Sequence, residues 1–327
     1  MNKYFFTLLF LGIASLSISQ ESFTFMEITR ESDTNSIYFV PDEQLISERW
    51  DLLAQPNFWK QVMSLSPDSC IINVAATREI LYKTSFLAWQ KQTEIEKENV
   101  RKAIREEYQL DSEERLYVTS GKNHFYQLEK VLPSITKGIE IFEREGVNPW
   151  YAQSILLIES PGKIQYSNVG AYGPFQLMKS VARNYGLTVN KTVDERKDFE
   201  KSAVAASKLI EISCIPSARL ILERNNVDYN ENDLWFKLFV LHIYHAGAGN
   251  VGGLIDSMRP GSGGISLITE MWQNEYGGFK NASQNYSQVA LASNLALEEL
   301  LYSSCNRIYL CKSESVDSTE KLGNAQN

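Results

Sequence analysis

The alternation of apolar and polar positions divides the chain before any composition is considered. The first residues open on Lys3 and run through an apolar stretch from Tyr4 to Leu16 that closes on Ser17-Ile18-Ser19. A positive start, a short apolar centre and small residues at the end are the order of a secretory signal peptide. Residues 1–19 are therefore expected to be removed near Ser19. The apolar run is shorter than the ~20 residues a membrane span needs, and no Cys follows it to take a lipid. Residues 20–42 show no helical period and read as extended or irregular. From Glu43 to about Leu110, apolar positions such as Leu45, Ile46, Trp50, Leu52 and Leu53 recur at helical spacing. The stretch from Trp89 to Leu110, rich in Lys, Glu, Gln and Arg, reads as a solvated helix. Asp111 followed by Glu114 predicts a short capped helix, interrupted at Val118-Thr119-Ser120-Gly121-Lys122.

A second region is expected from about Asn123. Asn148-Pro149 is a helix start, with Asn as the cap and Pro at the first helical position, and Pro161-Gly162 is the expected stop. Between them Ile155-Leu156-Leu157-Ile158 is apolar on every side, so this helix is buried. Glu159 sits in its last turn, on the face of Ile155 and Leu156. Apolar surroundings and the negative end of the helix dipole both penalise a carboxylate there, which favours a protonated acid near neutral pH. The glycine-bearing segment Gly170-Ala171-Tyr172-Gly173-Pro174-Phe175-Gln176-Leu177-Met178 is expected to open a helix with Gln176 in its first turn. Met178, Val181, Ala182 and Tyr185 would form that helix's apolar stripe, and Gly186 would stop it. Asp194-Glu195-Arg196 precedes a helix with Phe199, Ala203, Ala206 and Ile210 on one face. A further helix from near Asn232 ends at Tyr244-His245-Ala246-Gly247. From Lys312 the tail is polar and expected to be disordered.

Composition removes several classes of function. With 32 Lys and Arg against 40 Asp and Glu, the net charge is −8, which argues against a nucleic-acid or anionic-lipid surface. In an exported protein the four cysteines Cys70, Cys214, Cys305 and Cys311 admit three disulfide pairings. Cys305 with Cys311 is the shortest loop, which would leave Cys70 with Cys214. Their spacing fits no zinc template, and His242 with His245 lacks a third ligand, so neither metal nor cofactor is expected.

Four motifs in order carry a resemblance. Glu159-Ser160, Gly170 to Met178, Asp194-Glu195-Arg196 and Tyr244-His245-Ala246-Gly247 are similar in order and spacing to the soluble lytic transglycosylase, or goose-type lysozyme, family, nearest to its murein transglycosylase D group. Gln284-Asn285-Tyr286-Ser287-Gln288-Val289 resembles that family's closing helix. The resemblance implies a mainly α, lysozyme-like transglycosylase domain over 123–311, preceded by a helical region over 20–122 and followed by the 312–327 tail. It implies that Glu159 is catalytic, that Ser160, Gln176, Tyr244 and His245 meet the sugar, and that Gly170, Gly173, Asp194, Arg196 and Gly247 are structural. It further implies an exported periplasmic or extracellular enzyme without a stable membrane anchor. Such an enzyme would act on peptidoglycan glycan strands, cutting the MurNAc–GlcNAc bond with a 1,6-anhydro product. The family usually has Asn where this chain has His245. Two other readings stay open: a hydrolytic muramidase or chitinase, with Asp194 or Glu195 activating water, and a non-catalytic glycan-binding protein.

Overall fold

Aromatic and β-branched residues favour strands where one face can be buried, and the segment expected to be extended forms two. The computed structural model describes residues 23–30, 36–160, 167, 170–306 and 311–317; the expected signal peptide and the Pro161-Gly162 stop lie outside them. Strand β1 (Thr24–Arg30) pairs antiparallel with β2 (Ile37–Phe39), placing Met26 opposite Phe39. Helix α1 (Gln44–Ser47) and a 3-10 turn at Trp50–Leu52 complete this N-terminal arm. Phe25, Tyr38, Phe39, Leu45 and Trp50 are buried in the same apolar core as the later helices.

Helix α2 (Ala54–Ser64) buries Phe58, Trp59, Val62 and Met63 along one face. The helical region expected up to residue 110 then gives way to a sheet. Strands β3 (Ser69–Val74) and β4 (Ile80–Ser85) form an antiparallel pair. Helices α3 (Phe86–Lys91) and α4 (Glu94–Glu107) follow, and β5 (Leu116–Ser120) returns to the other side of β3. The order is β4-β3-β5. Strand β3 is central and covered on both faces: Ile71 joins the cluster of α2, while Cys70, Ile72 and Val74 join Trp89 and Ile104. A continuous apolar run of that length reads equally well as a buried helix by periodicity. The helix expected after Asp111 is instead a turn, in which the Asp111 carboxylate accepts from the Glu113 N–H at 2.8 Å. A capping box lies at α4, where Thr93 and Glu96 cap each other.

The remaining helices carry the motifs. They are α5 (Leu128–Arg144), α6 (Trp150–Glu159), α7 (Lys179–Asn184), α8 (Phe199–Leu209), a π-helical segment at Ile210–Cys214, α9 (Ile215–Arg224), α10 (Leu234–Ala246), α11 (Ala248–Met258), α12 (Ile265–Met271) and α13 (Asn281–Asn306). Asn148 Oδ1 accepts from the Trp150 N–H at 3.0 Å just ahead of α6, where Pro149 takes the cap position rather than the first helical one. Close packing of α5 on α6 depends on Gly138, where an added Cβ would stand 2.8 Å from Leu156 Cδ1. Buried Gln153 ties three parts together. Its amide donates to the Val40 carbonyl (3.0 Å) and to Asn294 Oδ1 (2.9 Å), and its oxygen accepts from the Val40 N–H (2.9 Å). The arm is thereby tied to α6 and α13, while α2 and the β4-β3-β5 sheet make up a sheet module at 54–122.

Two expectations are corrected at the ends. Residues Cys311–Asp317, most of which were read as disordered tail, form β6, which pairs antiparallel with β1 from Thr24–Asp317 to Arg30–Cys311. Residues 318–327 lie outside the described residues. Cys70 and Cys214 are free thiols, so no bridge joins them. Each is buried in a different apolar cluster, one in the sheet module and one in the helical core. Burial pushes both thiols up, Cys214 to about 12. The side chains of Cys305 and Cys311 lie outside those described.

Candidate active site

Helix α6 is buried from Trp150 to Leu157 and opens only at its end, where Ile158 and Glu159 are partly exposed. The Glu159 carboxyl meets phenols. Tyr286 of α13 donates its hydroxyl to Glu159 Oε1 at 2.8 Å. Tyr126, ahead of α5, and Tyr244 of α10 lie close enough for the Glu159 charge to raise their own pKa values. Burial pushes Glu159 up to about 7, against the Tyr286 hydrogen bond, which favours the ionised form. Among the described residues no ion pair involves Glu159. A carboxyl of this kind is half protonated near neutral pH and can both give and take a proton.

The glycine-bearing segment is a turn rather than the opening of a helix. Tyr172 bridges Leu177, and α7 begins only at Lys179. Gln176 therefore does not lie in a helical first turn; its backbone is left-handed (φ 46°), and its amide donates to the Gly173 carbonyl at 2.9 Å. Met178 is exposed rather than part of a buried stripe, because it precedes the helix. Ser160 Oγ donates to the Pro174 carbonyl at 2.9 Å, and the Tyr244 hydroxyl donates to the Phe175 carbonyl at 2.6 Å. These two bonds pin the turn against the end of α6 and against α10.

Arg196 holds the turn from beneath. It is fully buried, and its guanidinium grips Asp194 through two bonds of 2.9 and 2.7 Å. Its remaining nitrogen donates to the carbonyls of Gly170 (2.8 Å) and Leu177 (2.9 Å). Gly173 must be glycine here: its φ is 88°, and a Cβ would stand 1.9 Å from the Arg196 carbonyl oxygen. Glu195, the other acid of that motif, pairs with Lys201 and accepts from the Thr188 N–H. Gly247, with φ 81°, ends α10. His245 is exposed and stacks on the Tyr286 ring, with centroids 4.5 Å apart and planes 28° apart.

The structure thus brings Glu159, Ser160, the 170–177 turn, Tyr244 and His245 together, with Asp194 and Arg196 as their support. Sequence reasoning missed Tyr286 and Tyr126 as neighbours of Glu159. For Tyr286 the signal was the closing-helix segment that contains it; for Tyr126 there was none. Among the described residues, no helix is long and apolar enough to cross a membrane. No curated protein matches the chain. Residues 139–259 match the family model of the transglycosylase SLT domain, a stretch that includes Glu159, the glycine turn, Asp194-Glu195-Arg196 and Tyr244 to Gly247. The match supports glycan cleavage of the lytic transglycosylase type. On this mostly helical fold, residues 139–259 match the transglycosylase SLT domain family, consistent with a lysozyme-like domain.

Proposed function

We propose that the protein is an exported peptidoglycan lytic transglycosylase in which Glu159 is the single acid and base. In the first step the Glu159 carboxyl gives its proton to the glycosidic oxygen between MurNAc and GlcNAc, and the C1–O bond breaks. In the second the resulting carboxylate takes the proton of the muramoyl 6-hydroxyl, whose oxygen bonds C1 and closes the 1,6-anhydro ring. No water is consumed. The observation that carries this reading is one carboxyl lifted to about 7 among three tyrosines. A hydrolase would need a second carboxylate for water, and the two nearest in the motifs are committed: Asp194 to Arg196, and Glu195 to Lys201. Both are held below the usual carboxylate range, chiefly by those bonds. Tyr244 and Tyr286 place electron-rich oxygens beside the developing positive ring, while Gln176 and His245 line the sugar path.

Mass spectrometry of muropeptides released by the protein tests the proposal. Anhydromuramoyl ends are expected, whereas reducing ends would establish a hydrolase and no products a binding protein. Glu159→Gln should lower turnover about a hundred- to ten-thousand-fold, the span of general acid–base catalysis. Wild-type turnover by that variant would remove Glu159 from the chemistry.

A further inference from the structure

The sheet module at 54–122 has no part in the chemistry above, yet it grips the helix that carries Tyr286. Trp59 Nε1 donates to Gln288 Oε1 at 3.0 Å, and Arg78 Nη2 donates to Asn285 Oδ1 at 3.0 Å. From the other side, Gln273 Nε2 donates to the Ala76 carbonyl at 2.8 Å. Asn285 and Gln288 flank Tyr286 on α13, one residue before it and two after. Phe58, Trp59, Val62, Met63 and Ile71 pack on Val289 and Ala292 of the same helix, and Ile158, the neighbour of Glu159, packs against that cluster.

The grip at Arg78 is built for a fixed position. The residue is 8% exposed with a left-handed backbone (φ 63°), an uncommon conformation for a non-glycine residue. Its guanidinium lies over three rings, 5.5 Å from Phe58, 5.8 Å from Trp59 and 5.4 Å from Tyr117. Among the described residues no carboxylate pairs with it. A buried cation satisfied by ring faces and one amide oxygen has few other places to go.

We propose that the module is a brace for the active site, in which Arg78 and Trp59 act as positioning residues. Through Asn285 and Gln288 they hold the Tyr286 hydroxyl against the Glu159 carboxyl. The inference rests on Glu159 being the acid and base, and its test is separable from that reading. The groups that face Glu159 are Tyr286 from α13, Tyr244 from α10 and Tyr126 ahead of α5, with His245 stacked behind Tyr286. The Tyr286 bond favours the ionised carboxyl. Displacing the Tyr286 hydroxyl while Glu159 stays buried therefore moves Glu159 in the direction that Tyr286→Phe moves it, upwards.

The experiment follows the Glu159 carboxyl by 13C NMR through a pH titration of the full chain, together with kcat, KM and thermal melting. Arg78→Met and Trp59→Phe are each expected to raise the Glu159 midpoint by about half a pH unit. In the same variants kcat should fall roughly fivefold while KM stays within about twofold, because positioning rather than binding is lost. Arg78→Lys, which keeps a cation over the rings, should return the midpoint towards wild type. Asn285→Ala removes the acceptor on α13, together with the Asn285 donation to Asn281 Oδ1 at 3.0 Å, and gives the same readout should Arg78→Met fail to fold. Lower melting temperatures with an unmoved Glu159 midpoint would overturn the brace. That result leaves the proposed function untouched, since the titration reads Glu159 whether or not murein is cut. A shifted midpoint without anhydro products would instead sustain the brace and sink the proposed function.

Discussion

Two buried arginines, one in the motif-bearing domain and one in the sheet module, are held differently. Arg196 lies over the Tyr172 ring at 5.5 Å but also meets a carboxylate and two carbonyls in fixed polar geometry, all from residues within 26 positions of it. Arg78 lies against ring faces and bonds an amide 207 positions away. Directional polar contacts demand particular residue types at particular spacings, and so leave a motif. Ring faces accept a cation from many directions, and so leave none. The difference also predicts how each region fails.

The largest effect is expected at Arg196. Arg196→Met leaves two carbonyls without their donor and a partly exposed Asp194 without its partner, and should cost about 2–4 kcal/mol in urea unfolding, chiefly through the carbonyls. Arg78→Met should cost about 1–2 kcal/mol, because the apolar chain still packs on the rings and leaves one amide oxygen short of a donor. Equal costs would erase the distinction between the two regions.

Glu159, a partly exposed carboxyl with no cation paired to it among the described residues, sharpens the contrast. Its folded pKa is raised from 4.5 to about 7, so the fold holds its proton more tightly than the unfolded chain does. The carboxylate therefore destabilises the fold increasingly as pH rises through that window, with nothing lost below it and the full amount lost above. Glu159→Gln should leave stability unchanged near pH 4 and raise it above pH 7, by on the order of 3 kcal/mol. A gain that does not depend on pH would show that the carboxyl titrates normally.

The smallest effect is expected at His245. It is exposed and touches the site through the face of Tyr286, so His245→Asn should change stability by less than ~0.5 kcal/mol. Turnover should stay within about threefold of wild type. A larger loss of turnover would make the imidazole part of the sugar contact itself.

What could be read in the sequence follows the same division. The buried α6, the position of Glu159 in its last turn and the helix that follows Asp194-Glu195-Arg196 were legible because each depends on residues a few positions apart. Gln176 was misplaced because a left-handed turn and a helical first turn share their glycines and differ only in backbone angles. The sheet at β3, β4 and β5 was hidden because a central strand buried on both faces loses its alternation. Tyr286 and Tyr126 reach Glu159 only through helix packing, and a Cys70–Cys214 bridge failed because two apolar clusters keep the thiols apart.

The pairing of β1 with β6 sets an order of events for the chain. Thr24 finds Asp317 and Arg30 finds Cys311 only after every helix between them has been made, so this contact carries nearly the largest sequence separation the chain allows. Loop-closure entropy places such contacts late in folding. During synthesis β1 must wait with one edge unpaired while the transglycosylase domain forms behind it. A circularly permuted chain that joins the two ends and opens at an exposed loop should therefore form this sheet early.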